Sequence, residues 1–293
     1  MYRNRMKKIR HAVQLIFAIL LNSDFFNVIK ILISGKARVS ATVMKNICVP
    51  GLNCYSCPSA LGACPIGALQ FYLNDVSLKI QLKEKLNFAG LYILGFFGFT
   101  GILGGRLFCG WVCPFGALQE LINRITKKNV TLPNLLEKGR FVILAVFVFI
   151  LPLFLYNISL LSPWFCKLIC PSGTLLAGIP LLLIDKDLRS SASYITLLKF
   201  TILLFIIISL LFSNRFFCKT MCPLGAIWGI FNRISIFNIN YDKNICISCG
   251  KCSNKCPMNL DVIKEYRSSK CIRCLECNSA CPTSSLTFGK YKN

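Results

Sequence analysis

Long, unbroken apolar runs alternate with short basic segments that carry cysteines along most of the chain. Three runs, roughly 87–106, 141–161 and 194–213, are long enough to cross a bilayer, which takes about 20 residues in a helix. A fourth, roughly 12–33, is interrupted by Asn22, Ser23 and Asp24 and predicts a broken or tilted helix. The stretch 174–184 is too short to span and carries Pro180, so it reads as a re-entrant or interfacial piece. Because the runs are continuous rather than alternating, and lipid tolerates only helices or closed barrels, the expected core is a four-helix membrane bundle. Gly95, Gly98, Gly101 and Gly105 recur at helical spacing and predict a packing stripe. Asp24 reads first as a helix break at the interface and second as an intramembrane proton carrier.

From about Asn240 the pattern becomes polar and cysteine-dense. The expected division is a helical membrane domain, 1–239, followed by a small α+β domain, 240–293. The N-terminus is basic and then apolar, but no small-residue cleavage site follows, so it predicts an uncleaved membrane segment. Basic residues are densest in the tail 1–11 and the loop 106–140, which includes Arg106, Arg124, Lys127, Lys128, Lys138 and Arg140. That bias predicts a multi-pass protein of the cell membrane whose N- and C-termini are cytoplasmic.

Composition sharpens this picture. The chain has 293 residues, is 55% hydrophobic and only 15% charged, with 34 Lys plus Arg against 11 Asp plus Glu. Charged residues make up roughly a quarter of an ordinary soluble domain, so lipid is an expected partner. The basic residues are spread through membrane-adjacent loops and form no single stripe, which argues against nucleic acid. One histidine, His11, excludes bis-histidine haem ligation, HExxH zinc hydrolases and a Ser-His-Asp triad, and itself reads as an interfacial side chain. No nucleotide-binding glycine loop is present. No catalytic residue is identified.

The 18 cysteines carry the chemistry. The tail reads Cys246-x2-Cys249-x2-Cys252-x3-Cys256-Pro257 and then Cys271-x2-Cys274-x2-Cys277-x3-Cys281-Pro282. This is the spacing of two-cluster bacterial ferredoxins, in which the fourth cysteine of each run ligates the other cluster. It assigns Cys246, Cys249, Cys252 and Cys281 to one [4Fe-4S] cluster, and Cys271, Cys274, Cys277 and Cys256 to the second. Zinc sites use separated CxxC pairs and fit poorly.

Upstream, Cys-Pro-x-Gly recurs in the segments 62–73, 108–122, 165–179 and 217–231, an internal repeat. Cys109/Cys113, Cys166/Cys170 and Cys218/Cys222 are C-x3-C-P pairs, a spacing expected to set both sulfurs on one side of a helical turn. On the predicted topology Cys109, Cys113, Cys218 and Cys222 meet on the inner face with thiolates for one more cluster. Cys166 and Cys170 lie on the outer face with Cys48, Cys54, Cys57 and Cys64, which offers sulfur for another cluster and a redox dithiol.

FCGWVCPFG, FCKTMCPLG and the double ferredoxin motif resemble the membrane-bound polyferredoxins related to the quinol-dehydrogenase (NapH-type) subunit of periplasmic nitrate reductase systems. The resemblance implies two [4Fe-4S] clusters on the cytoplasmic face at the tail cysteines, and a membrane part that moves electrons to or from a partner complex. The expected donor is a cytoplasmic carrier such as a soluble ferredoxin, or a quinol, so that quinone is a candidate partner. The extra segment at 48–70 resembles a subgroup of 4Fe-4S binding proteins. The expected function is therefore an iron-sulfur electron carrier or oxidoreductase subunit. The alternative is a redox-sensing or metal-centre assembly protein that works through its membrane-face cysteine pairs.

Overall fold

Proline after cysteine decides where several helices begin. Pro65, Pro114, Pro171 and Pro223 each sit in the first turn of a helix, where the missing N–H costs nothing. The preceding Cys64, Cys113, Cys170 and Cys222 are extended, as a residue before proline prefers, and occupy the N-cap positions. The computed structural model describes residues 2–36, 45, 47–85, 88–155, 163–190 and 193–290. Within them the chain is mostly helical, ending in a small cysteine-rich domain with one two-stranded sheet.

This geometry corrects the expectation that each C-x3-C pair shares one helical turn. The first cysteine of each pair lies in a one-turn helix, Leu107–Trp111, Trp164–Leu168 or Phe216–Thr220. The chain then turns through Val112, Ile169 or Met221, and the second cysteine starts a new helix. Proline ends the first helix by holding the second cysteine out of the helical region.

Four unbroken spans are not present among the described residues. Among the described residues one helix, Tyr194–Phe212, is long and apolar enough by itself to cross a bilayer. The 12–33 run forms two helices, Met6–Leu21 and Phe25–Ser34, bent by 55°. Asp24 caps the second by accepting from the Asn27 amide at 3.2 Å, so the carboxylate marks a helix break. The 87–106 run yields only the 14-residue helix Leu91–Gly104, closed by Gly105 at φ +50°. The 141–161 run continues the helix Asn134–Ile143 through a π-helical stretch, Leu144–Ile150, into Leu151–Phe154. Its far end, 156–161, lies outside the described residues, as do residue 87 and the part 37–44 of the loop 34–86. The 174–184 piece belongs to a helical run from Pro171 to Ile184, with Thr174–Gly178 in π conformation just ahead of Pro180.

The glycine stripe is only half a stripe. A Cβ on Gly101 would meet the Phe231 ring at 2.6 Å and one on Gly105 the side-chain Oδ1 of Asn232 at 2.4 Å, whereas Gly95 and Gly98 face nothing within 4 Å. The tight half is where the Leu91–Gly104 helix meets the helix Pro223–Phe231. Phe97, Trp228 and Phe108 fill that contact, and Trp228 Nε1 donates to Thr100 Oγ1 at 3.0 Å.

Strands β1 (Phe237–Tyr241) and β2 (Leu286–Lys290) pair antiparallel, Phe237 opposite Lys290 and Tyr241 opposite Leu286. They tie the two ends of the tail domain together, and β1 begins before the boundary expected at Asn240. The domain is not appended loosely: Arg106 donates to the carbonyls of Ser269 and Lys270, Trp111 to that of Arg273, and Asn232 to those of Ser268 and Cys271.

Candidate metal centres

Each half of the tail repeats one backbone design. Ser248 and Gly250 in the first run, and Arg273 and Leu275 in the second, have positive φ at the same offsets after Cys246 and Cys271. Asn259 and Ser284 repeat the match three residues after Cys256 and Cys281. Only one of these six is glycine. Such strain persists only where surroundings over-determine it.

Cys256, Cys271, Cys274 and Cys277 line one small apolar pocket with Ile239, Met258 and Ile272. The fourth cysteine of the first run thus joins the first three of the second, as the spacing predicts. Burial pushes the thiols up, Cys256 and Cys271 to about 11 and Cys274 to about 12, so metal binding here must displace protons. The other set is more open. Cys246 is within electrostatic reach of Cys281, Tyr241 lies beside Cys246 and Cys252, and Cys249 is exposed. Burial works to raise the Cys281 thiol, but hydrogen bonds from Ser285 and Thr283 outweigh it and bring the thiol down to about 7.

Directly beneath the second set lies the inner group. Cys109, Cys113, Cys218 and Cys222 are all buried, and each is within electrostatic reach of others in the group. Helix N-termini serve the sulfurs: the Gly225 amide donates to Cys222 Sγ at 3.4 Å, and the Gly116 amide to Cys113. Gln119 Nε2 donates to Cys218 Sγ at 3.1 Å. Gly110 packs so tightly on the tail that a Cβ there would lie 2.4 Å from the Ile272 carbonyl oxygen.

Between the two groups lies a layer of buried cations. Arg10, Arg106, Arg140, Arg215, Arg273 and Lys219 are at most 2% exposed, yet the buried carboxylates beside them are Glu120 and Glu137. Glu120 accepts from Arg10 Nη1 at 2.9 Å and from Arg215 Nε at 2.7 Å. Burial tends to raise the Glu120 pKa, but Arg215 and Arg10 outweigh it and hold it down to about 2. Arg10 also reaches Glu276 of the tail at 2.6 Å. Arg215 Nη2 and Arg140 Nη1 are buried without a hydrogen-bond partner among the described residues. Excess positive charge and orphaned donors suit an anionic group held between them.

Outside this face, Cys48, Cys54, Cys64, Cys166 and Cys170 line a second cavity, while Cys57 turns away toward Ser59 Oγ at 3.2 Å. His11 lies between Gln14 Oε1 at 3.2 Å and Glu120 at 3.7 Å. Among the described residues no three His, Cys, Asp or Glu side chains are arranged to hold a single metal ion. Reading the sequence missed Gln70, Gln119, Glu120 and the buried arginines. The repeated GALQ after Cys64-Pro and Cys113-Pro was the available signal for the glutamines.

A 4Fe-4S binding domain family matches residues 86–133 and 196–241, which contain the inner cysteines. A 4Fe-4S dicluster domain family matches residues 238–282, the tail. The chain is 30% identical over 64% of its length to the protein named "Putative electron transport protein YccM" of Escherichia coli (strain K12), covering 51% of it. It is 31% identical over 57% of its length to the regulatory protein NosR of Stutzerimonas stutzeri, covering 22% of it. It is 26% identical over 66% of its length to the methylamine utilization ferredoxin-type protein MauN of Methylobacillus flagellatus, covering 60% of it. The chain thus spans less than two thirds of the length of these curated relatives, and no solved structure matches it. By these likenesses the chain carries 4Fe-4S ferredoxin-type domains and is homologous to electron transport and ferredoxin-type redox proteins.

Proposed function

We propose that the chain is a membrane-bound electron-transfer protein in which the two tail sets and the inner set, Cys109, Cys113, Cys218 and Cys222, each hold a [4Fe-4S] cluster. One observation carries the reading: Arg106 donates both to the Ser269 and Lys270 carbonyls of the tail and to the Cys218 carbonyl of the inner group, with Gly110 against the backbone of Ile272. Bound, such clusters supply one-electron redox chemistry without acid-base groups. The chain's own residues hold the sulfurs, direct amide N–H groups at them, and balance their charge with arginine.

Membrane insertion is supported by the apolar side chains left uncovered. Leu197, Leu204, Phe205 and Phe212 of the Tyr194–Phe212 helix are exposed, as are Leu15, Ile16, Phe26 and Ile33 of the bent pair. We read the broken and π-helical segments as further crossings or half-crossings, with the tail domain on the cytoplasmic side, where the Lys and Arg density is highest. A redox protein or complex is the partner, and quinol is a candidate donor through the resemblance to quinol-dehydrogenase subunits. Burial of Cys109, Cys113, Cys218 and Cys222 disfavours the alternative of thiol-dependent metal delivery from this face, which needs accessible sulfur.

The test is anaerobic purification of the full chain, iron and acid-labile sulfide counting, and electron paramagnetic resonance of the reduced protein. The reading expects Cys218→Ser to lose about four irons while the tail signals persist. Unchanged iron in that variant, or an iron-free protein, would overturn it.

A further inference from the structure

The outer cavity has a volume of about 940 Å³ and belongs to neither matched family segment for most of its lining. Its walls repeat the inner site. Cys64-Pro-x-Gly-Ala-Leu-Gln70 matches Cys113-Pro-x-Gly-Ala-Leu-Gln119, and Phe165-Cys-x3-Cys-Pro171 matches Phe217-Cys-x3-Cys-Pro223. The repeat persists in space: Gln70 Nε2 donates to Cys166 Sγ at 3.6 Å, as Gln119 Nε2 does to Cys218 Sγ at 3.1 Å. Cys64 and Cys170, like Cys113 and Cys222, receive amide N–H groups from the helices they cap.

Three of the four inner ligands therefore have outer counterparts, Cys64 for Cys113, Cys166 for Cys218 and Cys170 for Cys222. The fourth does not, because the residue four before Cys64 is the buried Ala60. Cys54 makes up the deficit from another direction. Its Sγ lies 3.6 Å from where a Gly173 Cβ would stand, and it is within electrostatic reach of both Cys166 and Cys170. Cys57 points to Ser59 and Asn22, and Cys48 has no other cysteine within electrostatic reach among the described residues. Lys45, Lys167 and Lys199 line the same cavity and oppose negative charge there.

We propose that Cys54, Cys64, Cys166 and Cys170 bind a further [4Fe-4S] cluster, and that Cys48 and Cys57 are not ligands. The proposal uses the inner site as its template and so rests in part on the reading above. Cys64 is within electrostatic reach of Cys113 as well as Cys170, which places the two sites next to each other.

The experiment compares the full chain, purified without air, with Cys166→Ser, Cys54→Ser, Cys48→Ser, Cys57→Ser and Cys218→Ser. Expected are about sixteen irons in the parent, about twelve in Cys166→Ser and Cys54→Ser, and no loss in Cys48→Ser or Cys57→Ser. Full iron in Cys166→Ser, or equal losses from Cys48→Ser and Cys54→Ser, would overturn the proposal. Loss in Cys218→Ser without loss in Cys166→Ser removes this cluster and spares the inner one. The opposite pattern removes the inner one alone. Alkylation of the unmutated chain before and after iron and sulfide loading guards against misfolded variants. Cys54, Cys64 and Cys166, which are partly exposed, should become protected on loading, and unchanged alkylation of these three would sink the ligand assignment.

Discussion

Gln119 is fully buried, and its amide points at sulfur rather than water. An N–H group aimed at a ligating thiolate favours the more negative, reduced state of a cluster and so raises its potential. Gln119→Leu should therefore lower the potential of the inner centre by an amount on the order of tens of millivolts, at unchanged iron content, read by redox-titrated paramagnetic resonance. Glu120 carries a different weight. Replacing it with Gln leaves Arg215 buried without its counter-charge and Arg10 with Glu276 alone, a change that costs about 3–5 kcal/mol and should appear in denaturant unfolding. Its folded pKa of about 2 lies below the unfolded value near 4.5, so its stabilisation is complete above that value. The stabilisation is lost as pH falls from 4.5 through about 2, and the Gln variant should lose that acid-side slope. Neither residue was legible beforehand. A glutamine or glutamate late in a short helix reads as a solvated face, and only the approach of a distant one-turn helix gives it another role.

At the scale of elements, the Cys-Pro steps were readable because proline acts on its immediate neighbours. The pairing of one step with another was expected from the predicted topology alone, which set Cys109 and Cys113 with Cys218 and Cys222, since nothing in either segment names its partner about 100 residues away. In the two ferredoxin runs the spacing already suggests the crossover of Cys256 toward the second run, and Cys256 lines one pocket with Cys271, Cys274 and Cys277. The four-helix bundle was misread in a physically instructive way: apolar length alone cannot see Gly105 at positive φ or a π-helical stretch, whereas the polar residues around Asp24 did announce a break. The contact between Gly110 and Ile272 makes the elements interdependent. Gly110→Ala should force the Leu107–Trp111 turn and the tail apart at a cost of about 1–3 kcal/mol. Hydrogen exchange would show the change as faster exchange in both segments at once, and an effect confined to residue 110 would refute the coupling.

For the whole molecule, a part of the formal charge of +23, carried by Arg10, Arg106, Arg140, Arg215, Arg273 and Lys219, sits where solvent cannot screen it. Stripping iron with a chelator under reducing conditions should do more than bleach the protein. The cation layer would lose its counter-charge and the positive-φ loops their constraint, so residues 237–290 should unfold and the contacts of Arg106, Asn232 and Arg273 with the tail should open. Far-ultraviolet circular dichroism and exchange across 237–290 would register this, while the Tyr194–Phe212 helix should stay protected in detergent. On the proposed assignment of a cluster to Cys109, Cys113, Cys218 and Cys222, the contacts of Ser269, Lys270, Ile272 and Arg273 with Arg106, Gly110 and Trp111 also set an order of biogenesis: iron and sulfide reach the inner group before the carboxy-terminal domain docks on it.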